Sequence, residues 1–183
     1  MKLYYARHGQ TDWNLRRRVQ GLTDNPLNET GVQQARELAE KAALLEPIDV
    51  IVSSPLLRAR QTAQILSERL RAPLVVHERL YECNLGSYEG TSFPTLEMFH
   101  TTLRADAQEF PKRVGATGES QLQLAHRVYG ALEDIHARYA NQTVFLVAHG
   151  WVCRMIETYF RSMTAQEFMT FSLDNCELRY GEI

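Results

Sequence analysis

The chain predicts a three-layer α/β sandwich, with a mostly parallel central sheet and helices on both faces. Three observations predict it. Short apolar, β-branched runs alternate with segments whose apolar residues recur at helical spacing, the order that builds a parallel sheet. The first and last long apolar runs, Leu3-Tyr4-Tyr5-Ala6 and Val144-Phe145-Leu146-Val147-Ala148, are each followed by a histidine and a glycine, within Arg7-His8-Gly9 and at His149-Gly150. A length of 183 residues with 44% apolar and 23% charged content suits one globular domain, 1–183, with a core of its own.

Each element follows in order. Residues 3–6 form the first strand. Thr30-Gly31-Val32-Gln33 reads as a capping box, with Thr30 as N-cap. Behind it Val32, Ala35, Leu38, Ala39, Ala42 and Leu45 repeat at helical spacing until Pro47 stops the helix. Residues 48–52 are a short buried strand. Ser54 and Pro55 are expected as N-cap and N1 of the next helix, whose inner face is Ala59, Ala63, Leu66 and Leu70. Residues 74–76 make a third strand. A helix over about 120–139, with Leu124, Val128, Ala131, Leu132, Ile135 and Tyr139 on one face, leads into the strand at 143–148. A helix over 152–160 follows. The stretch 86–118 fits least well: it holds Pro94, Pro111, Phe93, Phe99 and Phe110, with a helix expected over 95–109. It reads as an excursion forming a lid or substrate wall, or equally as a surface loop with a packing helix.

The net charge of −2 gives no reason to expect nucleic acid or an anionic membrane as partner. No apolar run approaches a membrane-spanning length. Cys83, Cys153 and Cys176 are scattered outside any metal-ligand spacing, so reduced thiols and a cytoplasmic location are expected. Oligomeric state stays open.

Ligands of open α/β sheets bind beyond the carboxyl ends of the parallel strands. Arg7, His8 and His149 should arrive there. Arg58 lies in the first turn of the helix after the second strand, and Glu82 follows the third. Two guanidiniums and a helix N-terminus make a phosphate cradle. Arg58 opposes the helix dipole in that position, which favours an anion beside it. A neutral imidazole can carry a phosphoryl group between two easier steps, a second histidine can neutralise its oxygens, and a carboxyl can protonate the leaving alkoxide. Glu82 is the preferred carboxyl, with Glu89 the competing assignment. Arg16-Arg17-Arg18 reads as a solvated charge run from which Arg18 approaches a substrate. Trp13 is expected to pack its loop, and of the other histidines His100 alone merits testing.

Arg7-His8-Gly9-Gln10-Thr11-Asp12-Trp13-Asn14 resembles the RHGxTxxN signature of the histidine phosphatase superfamily, in its phosphoglycerate mutase-like branch. Gln20-Gly21, Asp24, Pro26-Leu27 and Thr30-Gly31 resemble it in the same order. So do the block from Ser53 to Ala63, the run from Glu82 to Gly90, Gly118-Glu119-Ser120 and His149-Gly150. The resemblance implies His8 as the phosphohistidine nucleophile, Arg7, Arg58 and His149 on the phosphoryl oxygens, and Glu82 as proton donor. Asn14 and Gln20 would be further phosphate contacts, though both also suit plain loop capping. It implies no metal and no cofactor, and an antiparallel edge strand for which residues 175–180 are the candidate.

The same phosphohistidine serves a phosphatase if water captures it and a mutase if a second substrate hydroxyl does. Between Gly86 and Gly118 the cations are Arg104, Lys112 and Arg113, against Glu89, Glu97, Asp106 and Glu109. Retaining a carboxylate-and-phosphate substrate wants more positive charge. The expectation is therefore a phosphomonoesterase acting on a small phosphorylated metabolite, with a mutase as runner-up. A non-catalytic phosphate-binding module is the third reading.

Overall fold

The structure, a computed structural model, describes residues 1–92 and 113–183. Five strands, β1 (Lys2–Arg7), β2 (Val50–Ser53), β3 (Leu74–Val76), β4 (Thr143–Ala148) and β5 (Leu178–Glu182), form one sheet in the order β3-β2-β4-β1-β5. The first four run parallel, and β5 lies antiparallel to β1 as the edge. The helices are α1 (Asp12–Leu15), α2 (Glu29–Ala42), α3 (Leu57–Leu70), α4 (Gln121–Tyr139), α5 (Gly150–Phe160) and α6 (Ala165–Thr170).

Strand periodicity sorts the side chains into two cores. Leu3, Tyr5, Val144, Leu146 and Ala148 pack with α4, α5 and α6 on one face. Ala6, Ile51, Phe145 and Val147 pack with α2 and α3 on the other. β4 is buried along its whole length, as a central strand covered on both faces must be. The three-layer sandwich is as the sequence predicts, and so are the inner faces of α3 and α4.

Several boundaries differ: α2 ends at Ala42, well before Pro47, β2 begins at Val50 rather than Ile48, and α5 begins at Gly150 rather than Val152. The N-cap of α2 is Asn28, not Thr30: its side chain accepts the Gly31 N–H at 2.8 Å, while its own N–H and Nδ2 are held by Gln10. Those tertiary bonds start the helix before the sequence motif could. Likewise α3 starts at Leu57, not at Pro55. Ser54 still belongs to the sheet, its N–H donating to the Val147 carbonyl at 3.0 Å, and the Leu57 N–H is taken by Asp24 Oδ1 at 2.6 Å. The edge strand begins at Leu178 rather than Asn175, because the Cys176 N–H turns back to the Arg7 carbonyl at 3.0 Å. The helix expected at 95–109, His100 and most of the excursion lie outside the described residues.

Candidate active site

α2 follows β1 on one face of the sheet, whereas α5 follows the adjacent β4 on the other. The chain parts there, and a crevice opens at the carboxyl ends of the two strands. His8 and His149 are the first residues past those ends. The His8 N–H donates to the Ala148 carbonyl at 2.9 Å, and the two imidazole centroids are 5.2 Å apart with the rings tilted by 59°. Glycine follows His8 because a Cβ on Gly9 would strike the Gly31 carbonyl, and one on Gly31 would strike the Gln10 backbone. The two glycines let the N-terminus of α2 abut the loop that carries His8.

His8 is buried, and its ring is held from both sides. Nδ1 lies 2.7 Å from the Gly9 carbonyl, which can only accept, so Nδ1 carries the proton. Nε2 then holds the lone pair, and Arg58 Nε donates to it at 3.2 Å. Burial first, then the Arg58 and Arg7 charges, hold His8 well below the ordinary histidine value, so it is neutral near pH 7.

Arg58 is 1% exposed, and burial lowers its pKa to about 10. Its Nη1 and Nη2 donate to the carbonyls of Thr23 at 2.8 Å and Gly21 at 2.9 Å. The loop around Gly21 is braced by Glu89, whose carboxylate accepts from the N–H groups of Leu22 at 3.1 Å and Leu85 at 3.2 Å. Glu89 therefore braces the loop that clamps Arg58. The carbonyls and Asp24 supply the negative partial charge that a guanidinium in the first turn of α3 requires.

Arg7 donates from Nη1 to the Leu173 carbonyl at 2.8 Å. His149 Nε2 is 2.6 Å from Ser54 Oγ. Two buried atoms, Arg7 Nε and His149 Nδ1, have no hydrogen-bond partner among the described residues. Ser54 Oγ already accepts the Leu56 N–H at 3.2 Å, so its own proton is available to His149 Nε2. In the tautomer in which Ser54 Oγ donates to Nε2, Nδ1 carries the proton and is the donor. Burial, then the Arg58 and His8 fields, lowers the pKa of His149 well below its ordinary value.

Glu82 is buried beside the N-terminus of α5. Its Oε1 accepts the Cys83 N–H at 2.8 Å, and Oε2 lies 3.4 Å from the Trp151 N–H. A Cβ on Gly150 would sit 3.8 Å from Glu82 Oε2 and 3.9 Å from Arg7 Nε, so the carboxyl and the guanidinium flank the same helix start. Burial raises the Glu82 pKa against the opposing pull of those N–H groups, Arg58 and Arg7.

Arg7, His8, Arg58, Glu82, Asn14 and Gln20 all line one pocket of about 350 Å³, with His149 packed behind His8. Asn14 Oδ1 is spent on capping α1 through Thr11, and Gln20 Oε1 accepts from Thr11 Oγ1 at 2.9 Å. Their acceptor ends are thus structural. Arg18 reaches the pocket wall as expected, its guanidinium 4.4 Å above the Trp13 ring. Sequence reasoning missed Ser54 as a partner of His149. It also missed Asn175, whose Nδ2 donates to the His8 carbonyl at 2.8 Å, and Arg154, which lines the pocket from α5. No local pattern marks any of the three as such a partner.

The model of the histidine phosphatase superfamily (branch 1) matches residues 3–182. An uncharacterized phosphatase, PhoE, of Bacillus subtilis is 38% identical over 79% of this chain and 69% of its own length. A probable phosphoglycerate mutase, GpmB, of Proteus mirabilis is 32% identical over 97% of this chain and 83% of its own. Among solved structures, a mycobacterial glucosyl-3-phosphoglycerate phosphatase complexed with VO3 superposes with a TM-score of 0.85 and 29% identity. That match covers 98% of this chain and 90% of that one. A phosphatase reading fits these relatives. With its two strand-end histidines at one crevice and the family match running almost end to end, this chain belongs to the histidine phosphatase superfamily, branch 1.

Proposed function

We propose that the protein is a phosphomonoesterase that passes the phosphoryl group of a small phosphorylated metabolite to His8 and then to water. The carrying observation is a buried imidazole whose Nε2 lone pair faces Arg58, next to two buried nitrogens, Arg7 Nε and His149 Nδ1, without hydrogen-bond partners among the described residues. Nε2 attacks phosphorus, the ester P–O bond breaks, and protonated Glu82 gives its proton to the leaving oxygen. Glu82, now ionised, takes a proton from water as water attacks. The P–N bond then breaks and phosphate leaves. Arg7, Arg58 and His149 offset charge on the non-bridging oxygens, and the Asn14 and Gln20 amides add donors.

Guanidiniums supply the positive charge in this scheme, so metal is not required and chelators are expected to leave the rate unchanged. We assign the enzyme to the cytoplasm, with no nucleic-acid or membrane partner. The deciding experiment stops a turning-over sample and maps acid-labile phosphorus. Label on His8 is expected; turnover without it overturns the scheme.

One observation favours a mutase as the second reading. Among the described residues, Arg17, Arg18 and Arg154 line the pocket beside Arg7 and Arg58, whereas the carboxylates there are Glu82 and Asp174. Positive charge thus enters the pocket from the loop after β1 and from α5. Assaying 3-phosphoglycerate with and without a bisphosphorylated primer separates the two, hydrolysis without primer-dependent isomerisation being the expected result.

A further inference from the structure

The segment that carries Glu82 lies outside the sheet and outside any α-helix, yet a general acid must be held to a fraction of an ångström to be useful. One side chain accounts for how it is held. Arg127, on α4, forms a two-pronged ion pair with Glu119, Nε to Oε1 at 2.9 Å and Nη2 to Oε2 at 2.7 Å. Its remaining nitrogen, Nη1, donates to the carbonyls of Arg79 at 2.6 Å and Tyr81 at 2.8 Å. The Tyr81 carbonyl belongs to the peptide unit leading into Glu82. The guanidinium carbon also lies over the Tyr81 ring, 3.7 Å from its centroid. Glu119 completes the hold from the other side, its N–H donating to the Asn84 carbonyl at 2.7 Å. Carbonyls 79, 81 and 84 are therefore gripped by one ion pair, with Glu82 between them. The pair is 9% and 10% exposed, so it acts away from solvent screening.

We infer that Arg127, locked by Glu119, is a positioning residue for the proton donor. It touches neither the phosphoryl group nor the reacting histidine, and it sets where the Glu82 carboxyl stands relative to the leaving oxygen. The inference rests on the assignment of Glu82 as general acid. A planar guanidinium can hold Glu119 and two carbonyls at once, whereas a lysine ammonium keeps the charge but lacks the fork.

The test compares β-glycerophosphate, whose alkoxide must be protonated as it leaves, with p-nitrophenyl phosphate, whose phenolate barely needs a proton. General acid catalysis is worth roughly 10²–10⁴-fold. R127K is expected to lower kcat on β-glycerophosphate about tenfold or more relative to p-nitrophenyl phosphate, with KM for both nearly unchanged, and E119Q to shift the ratio the same way. In the double variant R127K/E82Q, the ratio should equal that of E82Q alone, since Arg127 acts through Glu82. Equal losses on both substrates, or additive losses in the double variant, would overturn the inference and leave Arg127 a general stabiliser. If R127K does not fold, E119Q and E119Q/E82Q decide it by the same ratios. An E82Q enzyme that loses both substrates equally would instead remove Glu82 from the acid role, and this inference with it. That outcome is distinguishable from failure of the Arg127 effect alone.

Discussion

At the residue scale, the chemistry rests on which nitrogen of His8 carries the proton. The Gly9 carbonyl holds it on Nδ1, and burial beside two guanidiniums keeps Nε2 unprotonated well into acid. Replacing His8, the proposed nucleophile, with alanine should cut turnover by roughly 10³-fold or more. Far-UV and near-UV circular dichroism should remain those of the folded protein. The pH profile follows from opposite shifts in the same site. In the proposed scheme Glu82 acts protonated, and burial raises its pKa, so its acid form persists above the ordinary carboxyl range. kcat/KM on an alkyl phosphate should therefore fall as pH rises through that raised value. The p-nitrophenyl ester should show a shallower alkaline limb. Identical limbs for the two esters would argue against Glu82 as the acid.

At the element scale, the site is made by loops that bind to helix ends. Residues 20–24 do two jobs: Gly21 and Thr23 carbonyls grip Arg58, and Asp24 caps α3 on Leu57. Gly21 has φ +51°, and a Cβ there would strike the Glu89 carboxylate, so a side chain would displace the clamp. The approach of Gly9 and Gly31 is less forgiving, because a Cβ on either would strike rigid backbone, the Gly31 carbonyl or that of Gln10, rather than the end of a side chain. Gly31→Ala should destabilise the fold by about 1–3 kcal/mol, as overpacking does, despite the better helix propensity of alanine. Chemical denaturation would measure it. Because the displaced backbone leads straight to His8, kcat should drop in the same variant. A Gly31→Ala protein with unchanged stability and rate would mean that α2 can shift freely against the loop.

At the scale of the whole molecule, the buried charges make stability depend on pH. His8 and His149 have folded pKa values well below 6.5, so their stabilising contribution is complete above that pH. It is lost as pH falls below it, by up to about 1.4 kcal/mol per unit per histidine. Glu82 works in the opposite sense, costing stability as pH rises through its raised value, but one group opposes two. The melting temperature should therefore fall between pH 6.5 and pH 5. An anion that engages Arg7 Nε and His149 Nδ1 binds only the folded state. Vanadate at a hundred times its Kd should add about 2.7 kcal/mol. A thermal shift with vanadate that disappears in His149→Ala would identify the second histidine as part of the anion site.

The amino-acid order by itself determined the layers and their inner faces, because apolar periodicity is a local property that burial must satisfy. Leu124, Val128, Ala131, Leu132 and Ile135 could face only a core, and the unbroken apolar run at 144–148 could only be a buried strand. It also marked Arg7, His8, Arg58, Glu82 and His149, since they fall at strand ends or just beyond them. Helix starts were set by tertiary structure. Asn28 outcompetes Thr30 through Gln10, and Asp24 caps α3 from another loop, bonds that no string of neighbouring residues encodes. The partners that give the site residues their chemistry were likewise invisible: Ser54 on His149, Asn175 behind His8, Arg127 beneath Glu82. They lie 95, 167 and 46 residues away along the chain from the groups they bind. Only packing the two helical layers onto one sheet brings such distances down to a hydrogen bond.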